Sequence, residues 1–533
     1  MCRSLEKKIE LLPAEQVLRE FLLEAAQEVP NLEIWITGGW VRDRLLGLPS
    51  SDLDFALNNL TGREFGKFLA SFSTRPEIQS KYSQKADNLG IPGSRSVQFT
   101  IIERNAEMAK QLETARGSLF GLDIDLVNLR KEIYNGQSRT PRMDFGTPEE
   151  DALRRDATVN ALFFHLEKQE VIDLTGKGLK DLQARIMRTP LDPYQTFMDD
   201  PLRVLRLIRL SSKLGFDIDS QTQASIGDHR VQQALDKIIT RDRINIEVFK
   251  MMRDTDPATA LEQIFQLRLF VPVFLRFDSP LLAHIKNTFP FKKKTLWPAT
   301  WPRAYSLLTK LLQLNSHLGL MVQSAEDVES IWVMAICTPI AGFRHGRLQE
   351  AVQDVTNALR LPVKITRILE SALQNYDSIS NVVESIVTNR DKPPLPSVVG
   401  MAIRSWGSTW QTQLVYVLLA QAVHTQSTST PPGFLDFEAY SRPKVEEHIL
   451  DRFSVFVDYI WAMDLQNAHL KRPLLDGNQI QNHYGLLHGG KYLKNAIDGL
   501  IAWQFDHSNA SVEEAKVWLL QERDTLGIPP SET

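Results

Sequence analysis

Gly38-Gly39-Trp40-Val41-Arg42-Asp43-Arg44-Leu45-Leu46-Gly47, followed by Ser51-Asp52-Leu53-Asp54-Phe55-Ala56-Leu57, is the stretch whose reading decides the fold. Residues i and i+2 of a strand share a face, so Asp52 and Asp54 point together while Leu53, Phe55 and Leu57 point to a core. Upstream, Leu32, Ile34 and Ile36 alternate in "LEIWIT", a second strand. Strand, Gly-Gly turn, helix, strand makes a compact unit whose polar residues converge at the turn. Glycines let a backbone approach a triphosphate closely. Two acids on one face suit a divalent ion, since Mg²⁺ takes one or two carboxylates and completes its shell with water and substrate phosphates. Alone, Asp-x-Asp is usually a solvated strand edge and Gly-Gly a plain turn. Together, with twelve residues between them and apolar strands on both sides, they point to a site that transfers a nucleotide.

Working outward, the 533 residues are enough for several domains at roughly 150 residues each. Hydrophobic content of 43% and charged content of 24% are those of an ordinary globular protein with a sizeable core. A net charge of −4 carries no global basic signature, so any nucleic acid must be held by local patches. Two cysteines, Cys2 and Cys337, exclude a disulfide scaffold and a Cys-rich zinc site and point to a reducing compartment. No apolar run reaches membrane-spanning length, so no membrane partner is expected. The start, "MCRSLEKKIELLPAEQ", has no signal-peptide apolar region and carries acids early. Cytoplasm and nucleus are the expected locations, with the mitochondrion reached through an alternative start.

Strand-like runs fall at 32–37, 52–57, 97–102, 122–129, 160–165 and 170–174. Beyond about 195 the apolar spacing is helical at nearly every step, as in "RINIEVFKMMRD", "ATALEQIFQL", "VESIWVMAIC", "ITRILESALQNY" and "TQLVYVLLAQAV". No internal repeat is present. Breaks are expected near 275–300 and at the Ser/Thr/Pro-rich 425–434. The fold class is α+β: a head with a small mixed sheet, then a long helical remainder.

Four further segments carry chemistry. In "EEDALRRDATVNALFF" (149–164), the planar donor forks of Arg154 and Arg155 suit phosphates and Asp156 could accept a ribose hydroxyl, with a helix-start charge cluster as the plain alternative. In "VIDLTGKGLKDL" (171–182), Asp173, Gly176, Gly178 and Asp181 read best as a strand-turn-helix join. In "MDDPLRVLRLIRL" (198–210), a helix begun by Pro201 and capped by Asp200 puts Asp200 beside Arg203. A carboxylate acceptor beside a guanidinium donor complements the edges of cytosine and adenine and rejects uracil and guanine, because a mismatch leaves buried polar groups unpaired. An intrahelical ion pair is the plain alternative. In "ITRDRINIEVFKMM" (239–252), Arg243 and Glu247 stand at i, i+4, the spacing of a helix-stabilising pair.

These five segments, in this order and spacing, resemble the class II CCA-adding tRNA nucleotidyltransferases of the polymerase β superfamily, and the eukaryotic, fungal form fits best. The resemblance runs from about 30 to 255 and continues weakly over 471–504. It implies a catalytic head (1–185), a helical neck with the nucleobase-reading helix (186–275), a helical body (276–434) and a tail contacting tRNA (435–533). It implies that Asp52 and Asp54 are the catalytic metal pair, with Mg²⁺ as cofactor. Asp125 matches a third acid, although Asp123 points the same way. Gly38, Gly39 and Arg42 fall near the triphosphate, Arg155 and Asp156 at the ribose and phosphates, Asp200 and Arg203 at the nucleobase, and Arg206 beside them. Arg243 and Glu247 match a motif that braces the reading helix. Asp199 stands where many bacterial members have Glu. The stretch between Asp125 and Arg154 matches a flexible loop that helps switch from adding C to adding A, and 72–121 reads as an insertion relative to short bacterial relatives. Lys491 and Lys494, after Gly489-Gly490 at a helix start, are candidate tRNA contacts, with a capped surface helix as the alternative. The basic clusters 292–294 and 471–472 are further candidates. Expected partners are tRNA, CTP and ATP, and a monomer is expected. A partial enzyme adding only CC or only A, and a poly(A) polymerase, stay open. A binding module with a dead site is disfavoured, since both acids, the glycines and the Asp/Arg pair are intact.

Overall fold

The computed structural model describes residues 8–50, 52–91, 98–102, 114–133, 142–283, 298–324, 328–344, 346–425, 444–486, 488 and 490–530. The basic cluster 292–294, Gly489, most of the 425–434 break and the centre of the 126–153 loop stretch lie outside the described residues. The chain divides into two compact units, Met1–Asp256 with Gln266–Pro272, and Pro257–Phe265 with Val273–Thr533.

The first unit carries the strands β1 (Ile34–Thr37), β2 (Asp52–Leu57), β3 (Gln98–Ile102), β4 (Thr114–Leu119), β5 (Leu122–Asn128), β6 (Arg130–Ile133), β7 (Arg142–Phe145), β8 (Leu162–His165) and β9 (Glu170–Asp173). Seven of them form one mixed sheet in the order β3-β4-β5-β2-β1-β8-β9. Among the described residues β6 and β7 pair only with each other, as an antiparallel ribbon. Its helices are α1 (Pro13–Ala26), α2 (Gly39–Leu45), α3 (Gly62–Ser73), α4 (Pro76–Asn88), α5 (Pro148–Leu153), α6 (Gly178–Ala184), α7 (Pro193–Asp199), α8 (Arg203–Leu214), α9 (Ser220–Ile226), α10 (His229–Ile238) and α11 (Arg241–Arg253).

The period-2 pattern of β2 sets the two faces of the sheet. Leu53, Phe55 and Leu57 are buried, and Ile34, Ile36, Ile124 and Leu126 join their face. On the helical side of this core, Phe21 of α1 meets Phe72 of α3 edge-on at 5.6 Å, and Trp40 of α2 meets Phe164 at 5.6 Å. Each fully buried large side chain of this kind contributes about 1.5–3 kcal/mol. The other face begins with Asp52 and Asp54 and turns apolar further along, where Trp35, Ala56 and Phe163 pack with Ala152 of α5.

The expected strands are present, with shifts that have local causes. β1 starts at Ile34 because Asn31 adopts φ 55° and turns the chain before it. The 72–121 segment supplies α4, β3 and β4, which extend one edge of the sheet. β4 was not foreseen because "TARGSL" buries only Ala115 and Leu119. β6 and β7 were not foreseen because their residues are mostly polar. The helix expected from Pro201 starts later: Pro201 and Leu202 form a turn, and α8 begins at Arg203 and ends at Gly215.

The second unit is helical. Val328–Cys337 is buried from Ser330 onward, and Trp410–His424 is apolar nearly all round, as a helix enclosed by others must be. Towards its end, Gly477–His483, Lys491–Asp506 and Val512–Gln521 surround a core of Leu475, Ile480, Tyr484, Leu500 and Leu519. Among the described residues no helix is long and apolar enough to cross a membrane.

Candidate active site

β2 lies between β1 and β5, and its parallel register with β5 pairs Asp52 with Asp123 and Asp54 with Asp125. Four carboxylates thus form a block on one face. Asp52 and Asp123 are exposed, whereas Asp54 and Asp125 lie deeper. Burial pushes the Asp54 carboxyl up to about 6; the neighbouring charges of Asp125 and Asp52 add to this, while the Arg155 and Arg116 guanidiniums oppose it. Asp125 is the cross-strand neighbour of Asp54, and Asp123 that of Asp52. Asp125 Oδ1 also accepts an ion pair from Arg116 Nε at 2.9 Å. Among the described residues no group of three or more His, Cys, Asp and Glu is arranged to hold a metal ion. The Asp52/Asp54 pair nevertheless fits Mg²⁺, which needs only one or two carboxylates, and a partly desolvated acid among like charges is relieved by a cation.

The Gly-Gly turn meets this block. Gly38 has φ 77° and ψ −136°, and a Cβ built on it would lie 3.3 Å from Arg155 Nη1 and 3.5 Å from Asp54 Oδ2. Turn, arginine and acid thus converge within one atom's reach. Arg155 is aimed by Asp151 of α5, whose Oδ2 accepts its Nε at 3.1 Å and Nη2 at 2.8 Å, and its guanidinium lies over the Phe163 ring at 5.1 Å. Asp151 is 1% exposed and also holds Arg154. The cluster at 149–156 is thus built around a buried carboxylate and is not a solvated helix start.

Arg42, expected near the triphosphate, is buried and already partnered. It is 4% exposed, its Nη1 donates to Asn160 Oδ1 at 2.5 Å and its Nε to Asp43 at 2.7 Å. Asn160 Nδ2 in turn donates to Asp156 Oδ1 at 3.0 Å, and Asp156 Oδ2 accepts Arg206 Nε at 2.9 Å. Burial works against the Asp156 charge, but Arg206 and Asn160 outweigh it and hold the carboxyl at about 2. Arg206 is held protonated chiefly by Asp156 and secondarily by Glu247. A continuous chain of polar contacts therefore runs from the Gly-Gly helix α2 through Asn160 and Asp156 to α8.

The Asp200–Arg203 ion pair, the plain alternative to a base-reading edge, is not formed. Asp200 Oδ2 accepts Arg243 Nη2 at 3.2 Å and its Oδ1 accepts the Leu202 amide at 3.2 Å. Arg203 Nη2 donates to Glu132 Oε2 at 3.0 Å. The i, i+4 pair Arg243–Glu247 is absent for the same kind of reason: Glu247 turns to Arg209 Nε at 2.8 Å. Glu247 thus holds α8 through a buried, charge-assisted contact to Arg209, while Arg243 reaches Asp200 in the turn before α8 through a more exposed one.

A family model described as "Poly A polymerase head domain" matches residues 34–188. The CCA tRNA nucleotidyltransferase, mitochondrial, of Saccharomyces cerevisiae is 32% identical over 91% of this chain and 87% of its own length. The chain belongs to the CCA tRNA nucleotidyltransferase family. Another relative, nucleotidyltransferase lcsQ of Purpureocillium lilacinum, is 34% identical over 98% of this chain and 94% of its own. Solved CCA-adding enzymes share the fold: an apo form aligns with a TM-score of 0.61 at 17% identity over 95% of this chain and 96% of that one. The Thermotoga maritima CCA-adding enzyme complexed with tRNA gives 0.58 at 16% identity over 95% of both chains.

Within this nucleotidyltransferase, three groups that sequence reading left without a role stand in the site: Asp151, Asn160 and Glu132. Asp151 and Asn160 lay inside a quoted motif, but their partners are set by folding. Glu132 lay in the stretch matched to a flexible loop but was not singled out, since its partner Arg203 is 71 residues away. The 171–182 segment is the strand-turn-helix join it resembled: Asp173 Oδ2 caps α6 through the Leu179 amide at 3.0 Å, and Asp181 accepts Thr158 Oγ1 at 2.7 Å. In the second unit, Lys491 and Lys494 are exposed at the start of Lys491–Asp506, after Gly490.

Proposed function

We propose that this nucleotidyltransferase adds CCA to tRNA 3′ ends from CTP and ATP, releasing pyrophosphate, with no nucleic-acid template. The observation that carries the reading is the convergence of Gly38, Asp54 and Arg155, joined by Asn160, Asp156 and Arg206 to the helix bearing Arg203. The turn backbone and Arg155 hold the triphosphate. Asp156 stands at the ribose, with lone pairs left after its two partners. Asp200 and Arg203 read the base edge. The tRNA 3′-oxygen attacks the α-phosphorus in line, its proton leaves, and the bond to the β-phosphate oxygen breaks to release pyrophosphate. A Mg²⁺ ion held by Asp52 and Asp54, with Asp125 beside them, would acidify the 3′-hydroxyl and neutralise triphosphate charge. The chain's own contribution is positioning and fixed electrostatics, as in phosphoryl transfer generally.

The helical remainder divides, in this reading, into neck, body and tail, with boundaries near 185, 275 and 434. Lys491 and Lys494 at a helix N-terminus support tRNA binding through backbone phosphates. The protein works as a monomer in cytoplasm and nucleus, and relatives named as mitochondrial support a mitochondrial form.

The test is extension of a tRNA ending before CCA, with CTP alone, ATP alone and both. Two additions with CTP and three with both are expected. No extension, a long A tail, or a product needing only one nucleotide would overturn full CCA addition.

A further inference from the structure

Arg203 is set in place by a residue at the root of the stretch between Asp125 and Arg154. Its side chain is 11% exposed, and its Nη2 meets Glu132 Oε2 at 3.0 Å. Glu132 sits on β6 and is itself 8% exposed, with Arg154 Nη1 at 3.4 Å and Arg130 Nε at 3.8 Å. The root of β6 is pinned: the Arg130 amide donates to Asp151 Oδ1 at 3.2 Å, and the Gly146 amide closes the ribbon onto the Leu129 carbonyl at 3.1 Å. Arg154 does not depend on Glu132, because its Nε donates to Asp151 at 2.9 Å. The firmest contact Glu132 makes with these arginines is therefore to Arg203.

Resting on the reading of Arg203 as the base-contacting arginine, we propose that Glu132 is a positioning residue that sets nucleotide selectivity. A guanidinium has five N–H donors in one plane. Occupying one Nη2 donor with a buried carboxylate fixes that plane, and the remaining donors then face a base from one direction. A fixed donor edge leaves uracil or guanine unmatched. An arginine free to swing on its long stem adapts to either, so attraction survives and discrimination is lost. Asp200 is held separately by Arg243 at 3.2 Å, so acceptor and donor of the reading edge are anchored from opposite partners.

The experiment compares Glu132→Ala, Glu132→Gln and Glu132→Asp with wild type, measuring kcat/KM for CTP against UTP and for ATP against GTP on tRNA. Glu132→Ala is expected to lower both ratios about tenfold with the KM for tRNA unchanged. The glutamine variant, whose amide oxygen still accepts, recovers most of the ratio; the aspartate variant, one methylene short, does not. In an Arg203→Ala background, Glu132→Ala changes nothing further. Unaltered ratios in Glu132→Ala, or an equal loss in the Arg203→Ala background, would overturn the proposal. If the alanine variant melts early, the glutamine and aspartate variants decide: a ratio as high with aspartate as in wild type also sinks it. Failure of the wild-type enzyme to extend tRNA in the same assay counts against the proposed function instead.

Discussion

Gly38→Ala tests whether the turn, Arg155 and Asp54 form one device. At φ 77° and ψ −136° the backbone is in a region that other residues rarely occupy, and holding alanine there costs about 1–3 kcal/mol. The new Cβ would stand 3.3 Å from Arg155 Nη1 and 3.5 Å from Asp54 Oδ2. Arg155 cannot readily retreat, since Asp151 holds its Nε and Nη2 at 3.1 and 2.8 Å and the Phe163 ring lies beneath it. The turn itself must shift. The stability loss lowers Tm by roughly 2–12 °C for a unit of this size. A displacement of about 1 Å at the phosphate site costs about 100-fold in rate. The expected result is therefore kcat/KM for CTP down about 100-fold, tRNA affinity unchanged, and a modest drop in Tm. Gly47→Ala is the control: φ is 71° there, but a Cβ meets nothing within 4 Å, so Tm falls while turnover stays near wild type. Steady-state incorporation, filter binding of tRNA and thermal melting read all three. If Gly38→Ala turned over within about threefold of wild type, or if Gly47→Ala lost as much activity, the convergence would not be what drives catalysis.

Asp52→Ala and Asp54→Ala should each abolish incorporation while leaving tRNA binding intact; substantial residual turnover would remove them from the chemistry. Asp156 is held at about 2, below the ordinary carboxylate value of 3.8, so its stabilisation is full above about pH 4 and is lost as pH falls through 2. Asp156→Asn should thus be less stable than wild type at neutral pH, with the gap narrowing by about 2 kcal/mol between pH 5 and pH 2, measured by denaturant unfolding. Arg203→Ala should relax the choice of CTP and ATP over UTP and GTP more than it weakens tRNA binding, read from competition incorporation. Lys491→Glu with Lys494→Glu should weaken tRNA binding and flatten its dependence on salt, with single-turnover chemistry on bound tRNA unchanged.

Much of the head was legible from local spacing. A strand's period of two placed Asp52 and Asp54 together and Leu53, Phe55 and Leu57 against a core, and register bore this out. The helices beyond 195 followed from apolar periodicity, because each has a face or a whole girth to bury. β4, β6 and β7 escaped, since short polar strands are held by their neighbours and carry no pattern of their own.

The pairing of charges was a different matter. From spacing alone, Asp200 belongs with Arg203 and Arg243 with Glu247. In the fold Asp200 goes to Arg243, Arg203 to Glu132 and Glu247 to Arg209. An exposed intrahelical pair is worth only a few tenths of a kcal/mol, whereas the charge-assisted bonds Arg203–Glu132 and Arg209–Glu247 join packed elements and satisfy groups that folding has already buried. Composition and periodicity could therefore say which residue types reach the site and on which element. Which carboxylate answers which guanidinium, and so what holds the nucleotide and base groups in place, arose only when α5, α8, α11 and the β6–β7 ribbon were packed together.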